Sequence, residues 1–396
     1  MGKLENMRNP VFIDLFCGAG GLGVGLEKAG FKPLLSVDYD KDSTETLQNH
    51  SDHKVINSDI SSFIGEIESG RDKYPNIDLL AGGPPCQGFC SINPTRHKND
   101  PRNSLVDAFL HVASIMQPKV VLIENVTGLL SLAKGFAIEK IVSRLNELGY
   151  VVNYKVLQAA HYGVPQSRWR LFVVGCKTNK FHFPEPSHAA SVIPNFIRGK
   201  ELTFNIKNND LFNSYEPKVT VWDAISDLPI LANGGGSYES NYASTFNCDY
   251  QLERRGKEKN IYNHKTKTLQ DVNMQRVIAL PNEGMNWTDL PYDLIPGNLK
   301  RMLAKHKSDV GAKTRFRRLQ KTGLFSTIVT SPDPYWGAFI HPEQDRVISV
   351  REAARAQSFD DHIIFKGSLN SQYRQIGNAV PPLMAEAVGK KLMDVL

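Results

Sequence analysis

The chain has 396 residues, 41% hydrophobic and 22% charged, with a formal net charge of +6, which is the make-up of a globular protein long enough for two domains. Its five cysteines are irregularly spaced, so neither a disulfide framework nor a zinc site is implied and no metal is expected. No apolar signal core opens the sequence and no stretch approaches the roughly 20 apolar residues of a membrane span, so a cytoplasmic protein without a membrane partner is expected.

Strand-then-helix units fill residues 11–175. The run "VFIDLF" reads as a short strand, a glycine turn follows, and "GVGLEKAG" opens a helix that Gly30 ends. "PLLSVDYD" is a second strand and "KDSTETLQNH" a second helix; "KVINSDI" and "IDLLAGG" are further strands. "SLVDAFLHVASIMQ" is an amphipathic helix, and "KVVLIENV" a strand apolar enough for burial on both faces. Helix "AIEKIVSRLNELGY" and strands "VVNYKVLQA" and "RLFVVGC" complete the series. This alternation predicts an α/β fold, a doubly wound and mostly parallel sheet with helices on both faces. Beyond residue 177 the alternation fails, and Pro, Asn, Gly and Ser punctuate short elements as far as residue 325. Ordinary patterning then resumes through "SVREAARAQSF" and "QIGNAVPPLMAEAVGKKLMDVL". The expected organisation is a first domain over 1–177, a second, smaller and loop-rich domain over 178–325, and a return to the first domain over 326–396.

Charge is unevenly spread. Between Lys177 and Lys321 there are 22 basic against 15 acidic residues, so the whole excess lies in that segment. A solvated surface and a polyanion-binding surface are both compatible with it.

Ligands of such sheets bind beyond the carboxyl ends of the strands, where Asp38, Asp59, Cys86 and Glu124 fall. Gly18, Gly20 and Gly23 form G-x-G-x-x-G after the first strand, a pattern that serves the pyrophosphate of a dinucleotide or a ligand without a phosphate. Cys86, in "GGPPCQGFC", follows two prolines that stiffen its loop and remove two amide donors, a good mount for a nucleophile. Glu124 ends a very apolar strand, where desolvation favours a protonated carboxyl. Gln166, Arg168 and Arg170 alternate along an extended stretch, which directs both arginines to one face.

Taken together these motifs resemble the cytosine-C5 DNA methyltransferases, in the family's motif order and over most of the chain. "FIDLFCGAGGLGVGLEKAGF" is similar to the cofactor motif, "GGPPCQGF" to the nucleophile motif, "ENV" to the carboxylate motif, "QSRWR" to the Q-x-R-x-R motif, and "QIGNAVPP" to the closing motif. The resemblance implies an S-adenosylmethionine-dependent methyltransferase sheet and a target-recognition domain over 178–325. It implies S-adenosylmethionine as cofactor, S-adenosylhomocysteine as its product, and double-stranded DNA as substrate. Phe16 would pack on the adenine, Asp38 would bind the ribose hydroxyls beside Tyr39, and Asp59 would meet the adenine amino group. Gly18, Gly20, Gly23, Ile60, Pro85 and Leu105 would line the same site, and Asn378 would help close it.

Cys86 would attack C6 of a flipped cytosine, Glu124 would protonate N3, Arg170 would bind the O2 side, and Arg168 would support the thiolate–carboxylate cluster. Residues 92–105 resemble the mobile loop that closes over the flipped base. Gln87, Arg102, Arg315, Arg317 and Arg318 are the candidate DNA contacts. Cys90 stands where the family usually has Ser, which puts a minor backbone contact in doubt, and Cys17 stands where Ala, Ser or Cys is common; neither threatens the chemistry.

A tRNA methyltransferase on the same fold, an inactive DNA-binding module and a dehydrogenase remain as alternatives. The long basic segment favours DNA, and a dehydrogenase explains neither "PPCQ" nor "ENV". By analogy with modification enzymes the protein would be a monomer, associated with a prokaryotic nucleoid and paired functionally, without a stable complex, with a restriction endonuclease.

Overall fold

The structure is a computed structural model that describes residues 8–70, 77–85, 104–131, 135–191, 195–197, 200–202, 215–304 and 314–396. Its chain divides into two compact units: residues 1–162, 169–216 and 379–396 in the first, and 163–168 with 217–378 in the second.

The first unit is built on a seven-stranded sheet, β1 (Val11–Leu15), β2 (Lys32–Asp38), β3 (Lys54–Asn57), β4 (Leu79–Gly82), β5 (Val120–Asn125), β6 (Val151–Gln158) and β7 (Trp169–Cys176), in the order β3-β2-β1-β4-β5-β7-β6. β1 to β5 run parallel to one another, and β7 runs antiparallel to both β5 and β6. Every residue of β5 is buried, as its unbroken Val-Val-Leu-Ile run requires of a strand covered on both faces. Each such side chain contributes roughly 1.5–3 kcal/mol on burial. β6, at the sheet edge, exposes Val151, Tyr154 and Lys155 instead. The expected mostly parallel sheet is therefore observed, with all seven strands where their hydrophobic runs place them.

Helices α1 (Gly21–Lys28), α2 (Lys41–Gln48), α3 (Ile60–Ser69), α4 (Ser104–Met116) and α5 (Phe136–Glu147) connect the strands. α1 packs on the C-terminal helix Pro382–Leu392 so closely that a Cβ on Gly25 would lie 2.4 Å from Cβ of Ala385, so only glycine fits there. α3 is the element the sequence pattern missed. Its start is set by Asp59, whose side chain accepts from the amides of Ser61 and Ser62, and its apolar face is Ile60, Phe63 and Ile67.

The second unit contains the helices Val221–Ile225, Asp249–Arg255, Asp271–Ile278, Gly297–Ala304, Val350–Ala356 and Leu369–Asn378, with a short antiparallel pair, Glu239–Asn241 with Asn260–Tyr262. By spatial contact, 178–216 groups with the sheet and 326–378 with the loop-rich segment. Buried charge supplies the reason. Arg355 pairs with Asp361 at 2.6 Å and reaches Asp227 at 3.2 Å, while Arg351 donates to the carbonyl of Tyr262 at 2.8 Å. Arg346 grips Glu352 with two 2.7 Å hydrogen bonds. Arginine patterning, not apolar periodicity, ties 346–361 to 221–263.

That network sets an acid limit on stability. Burial pulls the pKa of His341 from 6.5 down to about 3, against the opposing charge of Glu352 and with help from Arg346, Arg318 and His264. His264 is lowered in the same way. An unfolded chain takes up these protons below pH 6.5 and the folded chain does not, so stability falls as pH drops. For His341 alone the loss is about 2 kcal/mol between pH 7 and 5. Denaturant unfolding of the wild type and His341→Gln across that range checks it: the variant should lose less stability on acidification, and an equal loss contradicts it.

Candidate cofactor and catalytic site

Strand order reverses between β1 and β4, and the crevice outside their carboxyl ends is where an open α/β sheet binds ligands. β1 ends in a turn with Phe16, Gly18 and Gly20 all at positive φ (59°, 53° and 90°). Phe16 is a non-glycine residue held in a sparsely populated conformation, a feature that collects at ligand sites. The turn is tied to the end of β2. The amide of Gly18 donates to Asp38 Oδ2 at 2.8 Å, and the amide of Asp40 to Asp38 Oδ1 at 2.8 Å. Asn57, which sequence reasoning passed over, donates to the carbonyls of Asp38 and Tyr39 and so fixes that end of β2.

A Cβ built on Gly18 meets nothing within 4 Å, so the space above the turn is open to a ligand. Behind the turn lies Asp14, buried, with neither carboxyl oxygen hydrogen-bonded among the described residues. Burial first, then the Asp38 charge, push its pKa well up; the Gly23 amide opposes this without making a hydrogen bond of normal geometry. Asp38 is raised too, chiefly by burial. An unpaired buried carboxyl is costly, and two acids facing one turn suit a cationic ligand better than a pyrophosphate.

The other expected cofactor residues fall as follows. Tyr39 is 71% exposed at the end of β2. Asp59 is exposed and caps α3, and its Oδ2, which takes only the Ser62 hydroxyl, has acceptor capacity left. Its pKa is lowered, first by the Ser62 side chain. Ile60 is buried in the core of the first unit, so its side chain is packing and only its backbone can serve a ligand. Pro85 is half-buried after β4, and Leu105 packs partly on the core from α4. Asn378 is exposed at the last position of its helix in the second unit.

Glu124 stands at the end of β5, only 8% exposed, and its Oε1 lies 2.8 Å from Nε of Arg170 on β7. The register explains the meeting: Glu124 is opposite Phe172, so Arg170 is its diagonal neighbour. Asn125 donates through Nδ2 to the carbonyl of Pro84 at 3.0 Å, locking the start of the Pro-Pro loop onto β5. Sequence reasoning gave this asparagine no task; its spacing from Glu124 was the available signal.

Arg168 has different partners, the carbonyls of Ile328 at 3.0 Å and Gly377 at 2.9 Å, and is fully buried. Gln166 accepts from the amide of Ile328 and donates to the carbonyl of Ala356. The two arginines thus have separate tasks, Arg170 at the carboxylate and Arg168 holding chain segments together. Cys86, Gln87, Arg102 and the loop 92–103 lie outside the described residues. Among the described cysteines, Cys17 is raised well above the usual thiol range by burial and then by Asp38 and Asp14, Cys176 is pushed up to about 11 by burial, and Cys248 is raised by burial. None of these three is an activated nucleophile.

The profile of the C-5 cytosine-specific DNA methylases matches residues 11–394. The chain belongs to this family. It is 32% identical to the type II methyltransferase M.AgeI of Thalassovita gelatinovora, over 96% of this chain and 98% of that one. To M1.HphI of Haemophilus parahaemolyticus it is 31% identical, over 97% and 87%. To DNA (cytosine-5)-methyltransferase 1A of Oryza sativa subsp. japonica it is 30% identical, over 97% of this chain but 28% of the plant protein, so it spans less than a third of that relative's length. Among solved structures, a protein described as a DNA modification methyltransferase encoded within an E. coli prophage superposes with a TM-score of 0.70 at 25% identity, over 98% of this chain and 99% of that one.

For a family that modifies DNA, the basic candidates of the second unit need sorting, and Arg318 is a correction. It is 1% exposed, and all five of its N–H donors are taken, by the carbonyls of Leu280, His341, Gln344 and Val277 and by Asp345. It is a structural cross-link, not a DNA contact; sequence alone does not separate it from its neighbours in "RFRR". Arg317 is half-buried, with one hydrogen bond to Gln320, and Arg315 lies over the Tyr335 ring at 4.9 Å.

Proposed function

We propose that the protein transfers a methyl group from S-adenosylmethionine to C5 of a cytosine flipped out of a specific duplex sequence. The observation that carries this reading is the Glu124–Arg170 pair at the end of β5, held by Asn125 against the start of the loop that leads to Cys86. Cytosine C5 is a poor nucleophile, so the ring must first be made enamine-like. The Cys86 thiolate bonds to C6, and Glu124 gives a proton to N3 as charge builds in the ring. Arg170, already oriented by Glu124, meets the O2 side, and Arg168 keeps the chain segments around Q-x-R-x-R in place. When bound, the cofactor supplies the electrophilic methyl. Loss of the C5 proton to a base and return of the N3 proton to the Glu124 carboxylate then let the C6–S bond break, which frees Cys86 as thiolate and leaves neutral 5-methylcytosine.

Phe16, Gly18, Gly20, Gly23, Asp38, Tyr39, Asp59, the Ile60 backbone, Pro85, Leu105 and Asn378 are the proposed cofactor residues. The open space at Gly18 and the orphaned Asp14 carboxyl fit a ligand with a sulfonium and an ammonium group. A cation there favours the ionised forms of Asp14 and Asp38, both raised without it. Affinity for S-adenosylmethionine is therefore expected to fall several-fold between pH 7 and 5, with proton release on binding. Calorimetry in two buffers of different ionisation enthalpy checks this, and an affinity independent of pH contradicts it.

Residues 178–325 supply the proposed target recognition, with Gln87, Arg102, Arg315 and Arg317 as DNA contacts. By analogy with modification enzymes, the proposed setting is a monomer working in the nucleoid and protecting DNA from a separate endonuclease. Transfer of a labelled methyl group into unmethylated duplex DNA tests the reading. Incorporation into duplex and not into tRNA is expected; label in tRNA alone would replace the substrate.

A further inference from the structure

A tryptophan beside the basic stretch of the second unit stands in solvent, where burial does not explain it. Trp336 is 56% exposed, whereas Trp169 and Trp287 are buried at 7% and 4%. Leaving an indole in water forgoes much of the stabilisation its burial brings. The ring is nevertheless held firmly. Tyr335 packs edge-on against it at 4.9 Å, and buried Phe316 supports Tyr335 at 6.1 Å. The turn beneath is fixed by Asp333, whose carbonyl accepts from the Trp336 amide and whose side chain accepts from the Tyr335 amide. That carboxylate is thereby engaged in the turn.

Positive charge surrounds this platform. The Arg315 guanidinium lies 4.9 Å from the Tyr335 ring and 5.5 Å from the Trp336 ring, and Arg276 lies 5.3 Å from Phe316. The segment from Gln251 to Lys321 that contributes these arginines has 16 basic against 7 acidic residues. A rigid, exposed indole beside a guanidinium matches a surface that alternates flat bases and sugars with phosphates.

We propose that Trp336 is a DNA-contacting residue, its ring packed on the sugar–base face of the substrate duplex while Arg315 meets the adjacent phosphate. The proposal rests on the methyltransferase reading and extends the recognition surface past residue 325.

The test uses the full chain, sheared duplex DNA free of methylated cytosine, and tryptophan fluorescence, with methyl transfer to the same DNA measured in parallel. Duplex is expected to quench the wild-type emission. W336F should keep DNA affinity within about twofold and lose most of the quenching. W336A should bind about tenfold more weakly with an unchanged salt slope. R315A should lower the slope of log affinity against log salt by about one. Thermal unfolding of W336A should match wild type, because the ring is exposed. A wild type that binds and methylates duplex, with W336A binding within twofold or W336F quenching as before, overturns this proposal alone. A wild type that neither binds nor methylates duplex overturns the functional reading and this proposal with it.

Discussion

Replacing Glu124 with Gln is expected to lower the rate of methyl transfer to duplex DNA by two to four orders of magnitude, the range for losing a positioned acid. Gln keeps the shape of the side chain at the end of β5. It can offer an amide N–H to N3 of cytosine but cannot give up a proton, and it loses the ion pair that Arg170 makes at 2.8 Å. The loss should fall on the chemical step, seen in single-turnover kinetics, with DNA and cofactor affinities changed only slightly. Stability should fall less than for a fully buried pair, since the Gln oxygen can still accept from Arg170 Nε and Arg170 keeps its bond to the Trp169 carbonyl. Rates within tenfold of wild type would remove Glu124 from the chemistry and reduce the pair to a sheet-end ion bridge.

The second large effect is on folding. Arg346→Met is expected to destabilise the protein by about 3–5 kcal/mol, the usual penalty for removing one partner of a buried pair. Glu352 is 1% exposed and takes two charge-assisted hydrogen bonds from Arg346, beside one from the Ser349 amide. The Arg346 charge and hydrogen bonds overcome burial to hold the Glu352 carboxyl well below its usual range. Without the guanidinium the carboxylate keeps only the Ser349 amide and the more distant His341, 3.7 Å away. The transition of the second unit should move down by about 10 °C. Arg346→Met combined with Glu352→Leu should recover much of that, because two apolar side chains leave no orphaned charge. A double variant no more stable than the single one would contradict the account of the pair.

How legible all this was in the sequence depends on the kind of force involved. The strands were legible, because most are short apolar runs bounded by turn residues that burial places; the half-exposed β3 and β6 were marked instead by their position in the strand–helix series. α3 was missed because the residue that starts it, Asp59, also reads as a ligand; one carboxylate serves the helix cap and keeps acceptor capacity for another donor. The second unit was least legible. It is held by Arg346, Arg351 and Arg355 and by their carboxylate and carbonyl partners far along the chain, and charged side chains carry no periodic signal of what they will meet. Arg318 shows the same limit: beside Arg317 it looks like a surface base, yet its donors are all spent inside. At the site, Glu124 and Arg170 were expected as separate roles, and their meeting follows from the antiparallel register of β5 and β7. The tasks of Asn125 at Pro84 and of Asn57 at β2 depend on contacts between distant segments, which local pattern does not carry.

The central claim is covalent attack by Cys86 on a cytosine in duplex DNA, and trapping tests it most directly. The wild type and Cys86→Ala would be incubated with S-adenosylmethionine and duplex carrying 5-fluorocytosine, then resolved on a denaturing gel. Fluorine at C5 cannot leave as a proton, so the adduct persists. A protein–DNA band that requires both cofactor and Cys86 is the predicted result, and sequencing the trapped duplex would give the target site. A wild type that methylates ordinary duplex but forms no trapped band, or a band that survives Cys86→Ala, would contradict the mechanism.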